Sequence, residues 1–407
     1  MSAVIPKLRF QCFQSDWSEN KLSHFCYINP PKPIEPVDGK VSFIPMNAVT
    51  EEAKLSYSET VLYESYCKGF TGFQDGDAIF AKITPCFENG KGALLQGLVN
   101  GVGFGSTEFH VLRAKEGNSP SFIHYLLSTP KFRFVGEQNM QGSAGQKRVT
   151  TDYLRTYKAH FPKSSLEQQK IANFLTSVDT KISQLTEKHR LLKDYKKGVM
   201  QQIFSQQIRF KDDDGNAFPE WEEKLLGDIA TFTKGKSISK ADISIDGITP
   251  CIRYGELYTT YGEVIESVVS ATSLPIKSLL FSKANDVIVP SSGETQWDIA
   301  TAACVKLSGV AYSGDLTVIR TPLNGVFLSY YFNSAKKREI ASLSQGSSVI
   351  HLYSTHLKSL KVEIPCEAEQ QKIAQSLQSL DKKINAVNDQ IEQTKLFKKG
   401  LLQQMFV

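Results

Sequence analysis

The sequence predicts an α+β protein in which two similar globular regions alternate with two long helices. Residues 167–204 and 369–406 are near-copies of each other, aligned without a gap. In both copies apolar residues recur alternately four and three positions apart, which is the spacing of a coiled-coil helix. Each copy follows a region of short segments rich in Val, Ile, Phe and Tyr, bounded by turn-forming residues, which indicates β-strands. The predicted domains are 1–161, 162–205, 206–363 and 364–407.

A repeat spacing near 200 residues is far too long for a solenoid and indicates duplication of a half-protein. The apolar seam is narrow and is flanked by Lys, Glu, Gln and Asp, so it predicts that the two helices pack together as a two-helix coiled coil. Lys196 and Lys398 interrupt the seam late in each copy. The alternative is that each helix packs separately onto its own globular domain. The predicted helix–helix interface consists of Ile171, Leu175, Val178, Ile182 and Leu185 in the first copy and Ile373, Leu377, Leu380, Ile384, Val387 and Ile391 in the second.

Composition limits the class of protein. The seven cysteines are scattered and never two residues apart, which argues for reduced thiols and against a disulfide framework or a structural zinc site. No apolar run reaches the ~20 residues of a membrane span, and the start has no signal-peptide pattern, so we expect a cytoplasmic protein without a membrane partner. A net charge of +5 permits nucleic acid as a partner without requiring it.

The two globular regions open alike. Arg9 and Trp17 in the first are echoed by Arg209 and Trp221 in the second. Residues Ser164 or Ser165 with Glu167 or Gln168 form a candidate capping box at the start of the first long helix. The segments rich in Val, Ile, Phe and Tyr predict strands at 78–82, 109–113, 286–290 and 316–320, and helical pieces are expected around 121–128 and 328–340.

Near the end of each globular region lies a loop rich in Gly and Ser. Residues 141–148 read QGSAGQKR and residues 345–351 read QGSSVIH. Glycine permits close main-chain approach, amides can read base edges, and cations can engage phosphate, so the loops suit contact with a polyanion. Gly198 and Gly400 each follow Lys-Lys within a predicted helix, which indicates close packing against another subunit or a frayed last turn.

Motifs for catalysis are weak. Residues 230–237 match a loose phosphate-loop pattern, but residues 238–247 lack the helical pattern that such a loop requires after it. No nucleophile is paired with a base at an interpretable spacing. We therefore expect a chain that is not an enzyme.

Several longer motifs resemble the specificity subunit of type I restriction-modification systems. They are EQQKIA at 167–172 and 369–374, GDAIFAKITPCFENGKGA at 76–93, GFGSTEFHVLR at 103–113 and PCIRYGELYTTYGE at 250–263. The resemblance covers essentially the whole chain. It implies two target-recognition domains, each reading one half of a split double-stranded DNA sequence, held apart by the antiparallel helices.

The resemblance also implies partners. Two modification subunits would bind the helices and methylate adenine, and two restriction subunits can join them to cleave DNA. No cofactor would be bound by this chain, since S-adenosylmethionine, ATP and magnesium are expected on the partner subunits.

The candidate DNA-contacting residues are polar or cationic and lie in predicted loops, several of them within the motifs quoted above. Cations would mostly position the backbone, while amides and hydroxyls would discriminate bases. The candidates are Lys82, Thr84, Asn89, Lys91, Gln141, Ser143, Gln146, Lys147 and Arg148 in the first domain, and Lys234, Lys236, Arg253, Tyr254, Ser291, Thr295, Gln296, Ser347 and His351 in the second.

Helix length gives a geometric expectation. A helix of about 39 residues is roughly 58 Å long at ~1.5 Å per residue. Readers so spaced could meet DNA grooves one or more turns apart, at ~34 Å per turn. The half-sites should differ, because the two globular regions diverge outside their edges. Two alternatives stay open: a DNA-modifying enzyme with its own catalytic domain, and a coiled-coil adaptor that does not bind DNA.

Overall fold

The computed structural model describes residues 5–143, 145–236, 238–346 and 349–407. The chain divides into two compact units. The first contains the chain up to Thr186 together with Asp389–Val407, and the second is Glu187–Asn388. This division runs through both long helices, whereas the domain boundaries expected from the sequence lie at their ends.

The globular part of the first unit is built around two four-stranded sheets. One is antiparallel throughout and has Phe109–Ala114 and Ala78–Ala81 at its centre, with Val111 opposite Ile79. In the other, Lys40–Ile44 runs parallel to Val102–Gly105. The strands are Ser18–Lys21, Cys26–Ile28, Lys40–Ile44, Glu59–Leu62, Thr71–Gln74, Ala78–Ala81, Gly92–Leu94, Val102–Gly105, Phe109–Ala114, Met140–Gln141, Arg148–Val149 and Lys158–Phe161. The helices are Leu22–Phe25, Tyr63–Tyr66, Pro120–Leu127, Pro130–Gln138 and Thr151–Thr156, with 3-10 turns at Met46–Ala48 and Val99–Gly101.

The globular part of the second unit repeats the antiparallel sheet and adds a fifth strand, Val264–Ile265, which runs parallel to Ala303–Val305. Asp286–Pro290 and Leu316–Arg320 pair at its centre. The strands are Glu222–Leu225, Thr231–Lys234, Thr249–Ile252, Val264–Ile265, Ser270–Thr272, Asp286–Pro290, Ser292–Gly293, Ala303–Val305, Ala311–Tyr312, Leu316–Arg320, Ile350–His351 and Lys361–Ile364. The helices are Leu226–Ile229, Glu256–Thr259, Gln296–Ile299, Gly325–Asn333, Lys337–Ser342 and Ser354–Lys358, with 3-10 turns at Lys240–Asp242 and Ile276–Ser278.

The same ion pair fixes the central sheet in both units. Arg113 donates to both carboxylate oxygens of Asp77 at 2.8 Å. Arg320 does the same to Asp286, at 2.9 and 3.1 Å. Both carboxylates are buried, so each pairing compensates a charge that burial would otherwise make costly.

Most predicted elements occur within one or two residues of their predicted bounds. The helical pieces expected around 328–340 are two separate helices, Gly325–Asn333 and Lys337–Ser342. At the break, the Asn333 side chain donates to the Ala302 carbonyl and accepts from the Ala302 amide, at 2.8 and 2.9 Å. This bond ties the end of the first helix to a neighbouring strand, which sequence periodicity does not reveal.

The two long helices are Ser165–Phe204 and Glu367–Gln404. Ten of the eleven predicted interface residues are buried, and the exception, Leu380, is half-buried. Gly198 lies inside the first helix and Gly400 inside the second, so neither glycine marks a frayed end.

In the first unit, the beginning of the first long helix packs with the end of the second. Asp179 binds Lys398 at 2.7 Å and accepts a hydrogen bond from the Tyr125 hydroxyl at 2.8 Å. Phe406 packs against Phe122 of the globular part, with ring centroids 5.0 Å apart. The helices therefore pair with each other and also join the globular core, so the two packing arrangements considered from sequence are combined.

In the second unit, the end of the first helix packs with the beginning of the second. Lys196 binds Asp381 at 2.6 Å, and the Tyr330 hydroxyl donates to the same carboxylate. The offset of 202 residues between the sequence repeats (369 minus 167) takes Asp179 to Asp381 and Lys196 to Lys398. The lysines that interrupt each seam are thus paired with carboxylates of the other helix in an antiparallel arrangement.

A buried glutamate anchors the start of each long helix. Glu167 accepts from Arg9 at 2.6 and 2.8 Å and from the Trp17 indole at 3.2 Å. Glu369 accepts equivalent bonds from Arg209 and Trp221. The Glu167 carboxylate therefore binds Arg9 and Trp17 instead of closing the expected capping box.

The neighbouring glutamine is also buried in both repeats. Gln168 accepts from the Ser119 amide at 2.9 Å and donates to the Pro162 carbonyl. Gln370 accepts from the Asn324 amide at 2.9 Å and donates to the Pro365 carbonyl. The repeated Glu-Gln pair thus joins each helix to the globular region before it.

Candidate nucleic-acid interface

In the first unit, the predicted loop 141–148 is a hairpin attached to the end of a central strand. Met140–Gln141 pairs with Arg148–Val149 across the loop. Gly142 has φ +128°, and a Cβ there would lie 2.7 Å from the Gln146 carbonyl, so this turn requires glycine.

The hairpin meets the segment that follows strand Ala78–Ala81. The Thr84 amide donates to the Lys147 carbonyl at 3.0 Å, and the Val149 amide donates to the Lys82 carbonyl at 2.9 Å. Lys82 and Thr84 are therefore brought against Arg148 and Lys147, although more than 60 residues separate the two segments in sequence. The side chains of Gln141, Ser143, Gln146 and Lys147 are exposed on this hairpin.

Arg148 is held by an acidic neighbour. Its Nε and Nη2 atoms each donate to Glu108, both at 2.9 Å. This hydrogen bonding lowers the pKa of the Glu108 carboxyl, and the same pair raises the pKa of Arg148. To bind a phosphate, Arg148 would have to break or share its hydrogen bonds with Glu108. Lys147 is therefore the more available of the two cations for phosphate binding.

The buried His110 side chain contacts the hairpin at Val149. Its Nε2 lies 2.8 Å from the Val149 carbonyl, so Nε2 carries the proton and donates. Its Nδ1 lies 3.0 Å from the Asn29 amide nitrogen, which donates to it. Burial lowers the pKa of His110 to about 4, so the ring is neutral near pH 7.

Two predicted residues of the first domain face other partners. Asn89 donates to Glu51 at 2.9 Å. The Lys91 ammonium lies 3.5 Å from the Met46 carbonyl. Both side chains are therefore held against the 46–51 segment instead of the hairpin.

The second unit places its predicted loop in the same way. Ser292–Gly293 pairs with Ile350–His351. His351 also exchanges two main-chain hydrogen bonds with Gln345, at 2.7 and 2.9 Å, which closes the loop. The Ser291 carbonyl accepts from the Leu352 amide at 3.0 Å, so Ser291 and His351 lie at adjoining strand ends. Ser347 lies outside the described residues.

Lys236 and Tyr254, two more predicted residues, contact the end of strand Ala311–Tyr312. The Lys236 amide donates to the Tyr312 carbonyl at 3.0 Å, and the Tyr254 amide donates to the Ser313 hydroxyl at 3.3 Å. Lys234 and Arg253 flank these contacts in sequence, and the Arg253 side chain binds Glu256 at 3.2 Å. A Cβ on Gly235 would lie 1.9 Å from the Ser313 carbonyl, so the close approach depends on glycine.

Thr295 has a structural role. Its hydroxyl accepts from the Asp298 amide at 3.1 Å and caps the short helix Gln296–Ile299. Gln296 is exposed beside it. Trp297 was not among the candidates, yet its side chain is 55% exposed. A tryptophan inside a polar turn was the signal that could have identified it, because an exposed indole can stack on a base or cover a sugar.

Neither a membrane span nor a metal cluster is found in the described ranges. None of the helices there is long and apolar enough to cross a membrane. In the same ranges, no three His, Cys, Asp or Glu side chains are grouped as metal ligands.

The chain matches one protein family over most of its length. The family model "Type I restriction modification DNA specificity domain" matches residues 14–193 and 219–395. The Escherichia coli protein "Type I restriction enzyme EcoEI specificity subunit" is 35% identical over 162 residues, covering 39% of this chain and 27% of that protein. The E. coli "Type I restriction enzyme EcoAI specificity subunit" is 36% identical over 160 residues, with the same two coverages. The match thus spans 27% of the length of both relatives.

The fold is also similar to that of a solved structure. "Crystal structure of Type-I restriction-modification system S subunit from M. genitalium" matches with a TM-score of 0.59 at 14% identity, covering 99% of both chains. The likeness therefore extends over both globular regions and both long helices, at the level of fold.

Proposed function

Because this chain belongs to the family of type I restriction-modification DNA specificity domains, we propose that it is the specificity subunit of a type I restriction-modification complex. Each globular region would read one half of a bipartite DNA target. The observation that carries the proposal is the duplication: in each unit a polar loop (141–148 or 345–351) is joined to the end of an equivalent central strand. Two different reading surfaces on one chain suit a target with two different halves.

Recognition would combine two kinds of contact. Lys82, Lys147, Lys234 and Lys236 would engage backbone phosphates, which gives affinity that falls as salt rises. The exposed amides and hydroxyls, such as those of Gln141, would discriminate bases. The reading residues differ between the units, so we propose that the half-sites differ in sequence.

The long helices would set the spacer between the half-sites and bind two modification subunits, which methylate adenine. Two restriction subunits would join the complete complex. The chain itself would be non-catalytic, with S-adenosylmethionine, ATP and magnesium held by the partner subunits. A cytoplasmic location follows from this role, since the chain must reach DNA.

A titration of the purified chain with random duplex at low salt tests DNA binding. We expect binding that weakens steeply with salt, and no binding at low salt would contradict the proposal. Sequencing of methylated adenines in cells with and without the gene then tests the specificity role. Methylation at one bipartite sequence should vanish without the gene, and a purified chain that transfers methyl groups alone would contradict the non-catalytic assignment.

A further inference from the structure

Arg148, in the hairpin of the first unit, forms a two-pronged ion pair with Glu108. Its Nε and Nη2 atoms donate to different oxygens of the Glu108 carboxylate, both at 2.9 Å. The Arg148 side chain is 40% exposed and that of Glu108 is 26% exposed. The pair therefore lies at the surface, where an ion pair contributes little to stability, so stability alone is a weak explanation for this geometry.

The ion pair leaves part of the guanidinium available to another molecule. Arginine has five N–H donors in one rigid plane. Glu108 takes the N–H of Nε and one N–H of Nη2, and Nη1 donates to the Gln146 carbonyl at 3.2 Å. Among the described residues, one N–H of Nη1 and one of Nη2 have no acceptor. The two terminal nitrogens can thus donate in parallel to a partner with two neighbouring acceptors.

The charge of Glu108 limits which acceptors suit Arg148. Glu108 is ionised near pH 7, because hydrogen bonding from Arg148 and then the charge of Lys82 lower its pKa. An incoming phosphate would be repelled by this carboxylate, and the Arg148–Glu108 pair has no net charge with which to attract a polyanion. The edge of a base is neutral and does not meet this repulsion. Arg148 is therefore better placed to contact a base than a phosphate.

The pattern of acceptors distinguishes among the bases. In the major groove, guanine presents two acceptors, O6 and N7. Adenine presents one acceptor and one donor, thymine one acceptor and a methyl group, and cytosine a donor. Only guanine therefore satisfies two parallel N–H donors, and a paired contact of this kind is the commonest specific contact of arginine with DNA.

The neighbours of Arg148 in the hairpin suit the same division of roles. Lys147 is exposed, and within the described residues no carboxylate pairs with it. Gln141, the cross-strand partner of Arg148, is also exposed and carries an amide that can read a base edge. The hairpin thus combines a free cation for the backbone with two planar groups for bases.

We propose that Arg148 reads a guanine in the first half-site and that Glu108 is the positioning residue that holds its guanidinium for this contact. The proposal rests on the proposed function, in which this hairpin contacts one half of the DNA target. Glu108 would act in two ways, by fixing the plane of the guanidinium and by repelling the phosphates of unrelated sequences from Arg148. Specificity gains from such a repulsive element as well as from the attractive one.

Single substitutions separate the roles of the two adjacent cations. Bound duplexes would be selected from a random library by the complete chain together with the modification subunits of the same system. Arg148→Ala should lose a roughly 5- to 150-fold preference for guanine at one position and keep every other preference. Lys147→Ala should keep all base preferences and lower the magnitude of the salt slope by about 1, which Arg148→Ala should leave unchanged. Retention of the second half-site shows that each variant is folded.

The role of Glu108 has a matched control on the long helix Ser165–Phe204. Glu187 accepts from the Nε and Nη2 atoms of Arg190, at 2.8 and 2.6 Å, in the same two-pronged arrangement. Glu108→Ala should free Arg148, so random duplex binds more tightly, the salt slope rises in magnitude by about 1, and preference for the same guanine falls. Glu187→Ala removes the same charge and should leave the guanine preference unchanged. A purely structural Glu108 would affect the unfolding temperature without affecting the guanine preference.

Three results would overturn the proposal. Arg148→Ala relaxes no position or relaxes a base other than guanine; Arg148→Ala lowers the salt slope as Lys147→Ala does, which makes Arg148 a phosphate contact; or Glu108→Ala keeps the guanine preference as Glu187→Ala does. A wild type that selects no sequence would refute the proposed function and this inference with it. A wild type that selects a bipartite target, with its guanines retained in Arg148→Ala, would refute this inference alone.

Discussion

Replacing Glu167 with glutamine removes the counter-charge of a nearly buried guanidinium. The Glu167 side chain is 0% exposed and that of Arg9 is 11% exposed. Removing one partner of a buried ion pair costs about 3–5 kcal/mol, against about 0–1 kcal/mol for an exposed pair. Glutamine retains one oxygen that can accept from Arg9 or Trp17, so we place the loss at the lower end, about 3 kcal/mol.

Hydrogen exchange read by mass spectrometry gives the local value of this loss. Amides in the first turns of helix Ser165–Phe204 should exchange roughly 100-fold faster, since each ~1.4 kcal/mol corresponds to a factor of about ten. Glu369→Gln makes the same change at Arg209 and Trp221 and should accelerate exchange in the second unit only.

Changing Arg9 and Glu167 together to methionine should recover most of the stability, because no unpaired charge is left buried. If Glu167→Gln changes the local opening free energy by less than about 0.5 kcal/mol, the range of an ordinary surface substitution, the pair does not anchor the helix. Equal acceleration in both units would contradict the local assignment.

Two further predictions concern the candidate DNA-contacting surfaces, and a third concerns the buried His110. Lys147→Ala with Arg148→Ala should weaken binding of the first half-site and leave the preference for the second half-site intact. In duplex titrations at several salt concentrations, the slope of log binding constant against log salt concentration should fall in magnitude by about 1–2. Unchanged affinity would show that neither residue contacts DNA. Trp297→Ala should weaken binding of the second half-site alone by about 1–3 kcal/mol if the indole stacks on a base, and equal losses at both half-sites in the same titration would contradict this. Acidification should destabilise the first unit through His110. In the folded protein the pKa of His110 is about 4, whereas in the unfolded chain the imidazole takes up a proton below about pH 6.5. Stability is therefore lost as the pH falls from about 6.5 to about 4, by up to about 1.4 kcal/mol for each pH unit. Thermal unfolding at pH 7 and pH 5 should show this loss shrinking in His110→Gln, and an identical loss would exclude His110 as its source.

The paired helices were predictable because their signal is local. The spacing of Ile171, Leu175 and Val178 already specifies one apolar face, and burial of that face follows. The carboxylates that pair with Lys196 and Lys398 were not predictable, since they lie on the other helix and depend on its register.

The arrangement of the candidate DNA-contacting residues was only partly predictable. Composition suggested the loops as candidates, and the structure joins loop 141–148 to the Lys82–Thr84 segment. The orientation of single side chains depends on tertiary neighbours, so Asn89 faces Glu51 and Thr295 caps a helix. The echo of Arg9 and Trp17 in the second half was visible in sequence, but their target Glu167 lies about 150 residues away, beyond any local pattern.

The proposed function requires that the long helices set the spacer between the two half-sites. Inserting three heptads into each helix preserves the apolar seam and adds about 31 Å, or roughly nine base pairs at ~3.4 Å each. Selection of bound duplexes from a random library should then return the two original half-sites with a spacer about nine base pairs longer. An unchanged spacer, or one contiguous target for the wild-type chain, would contradict the account.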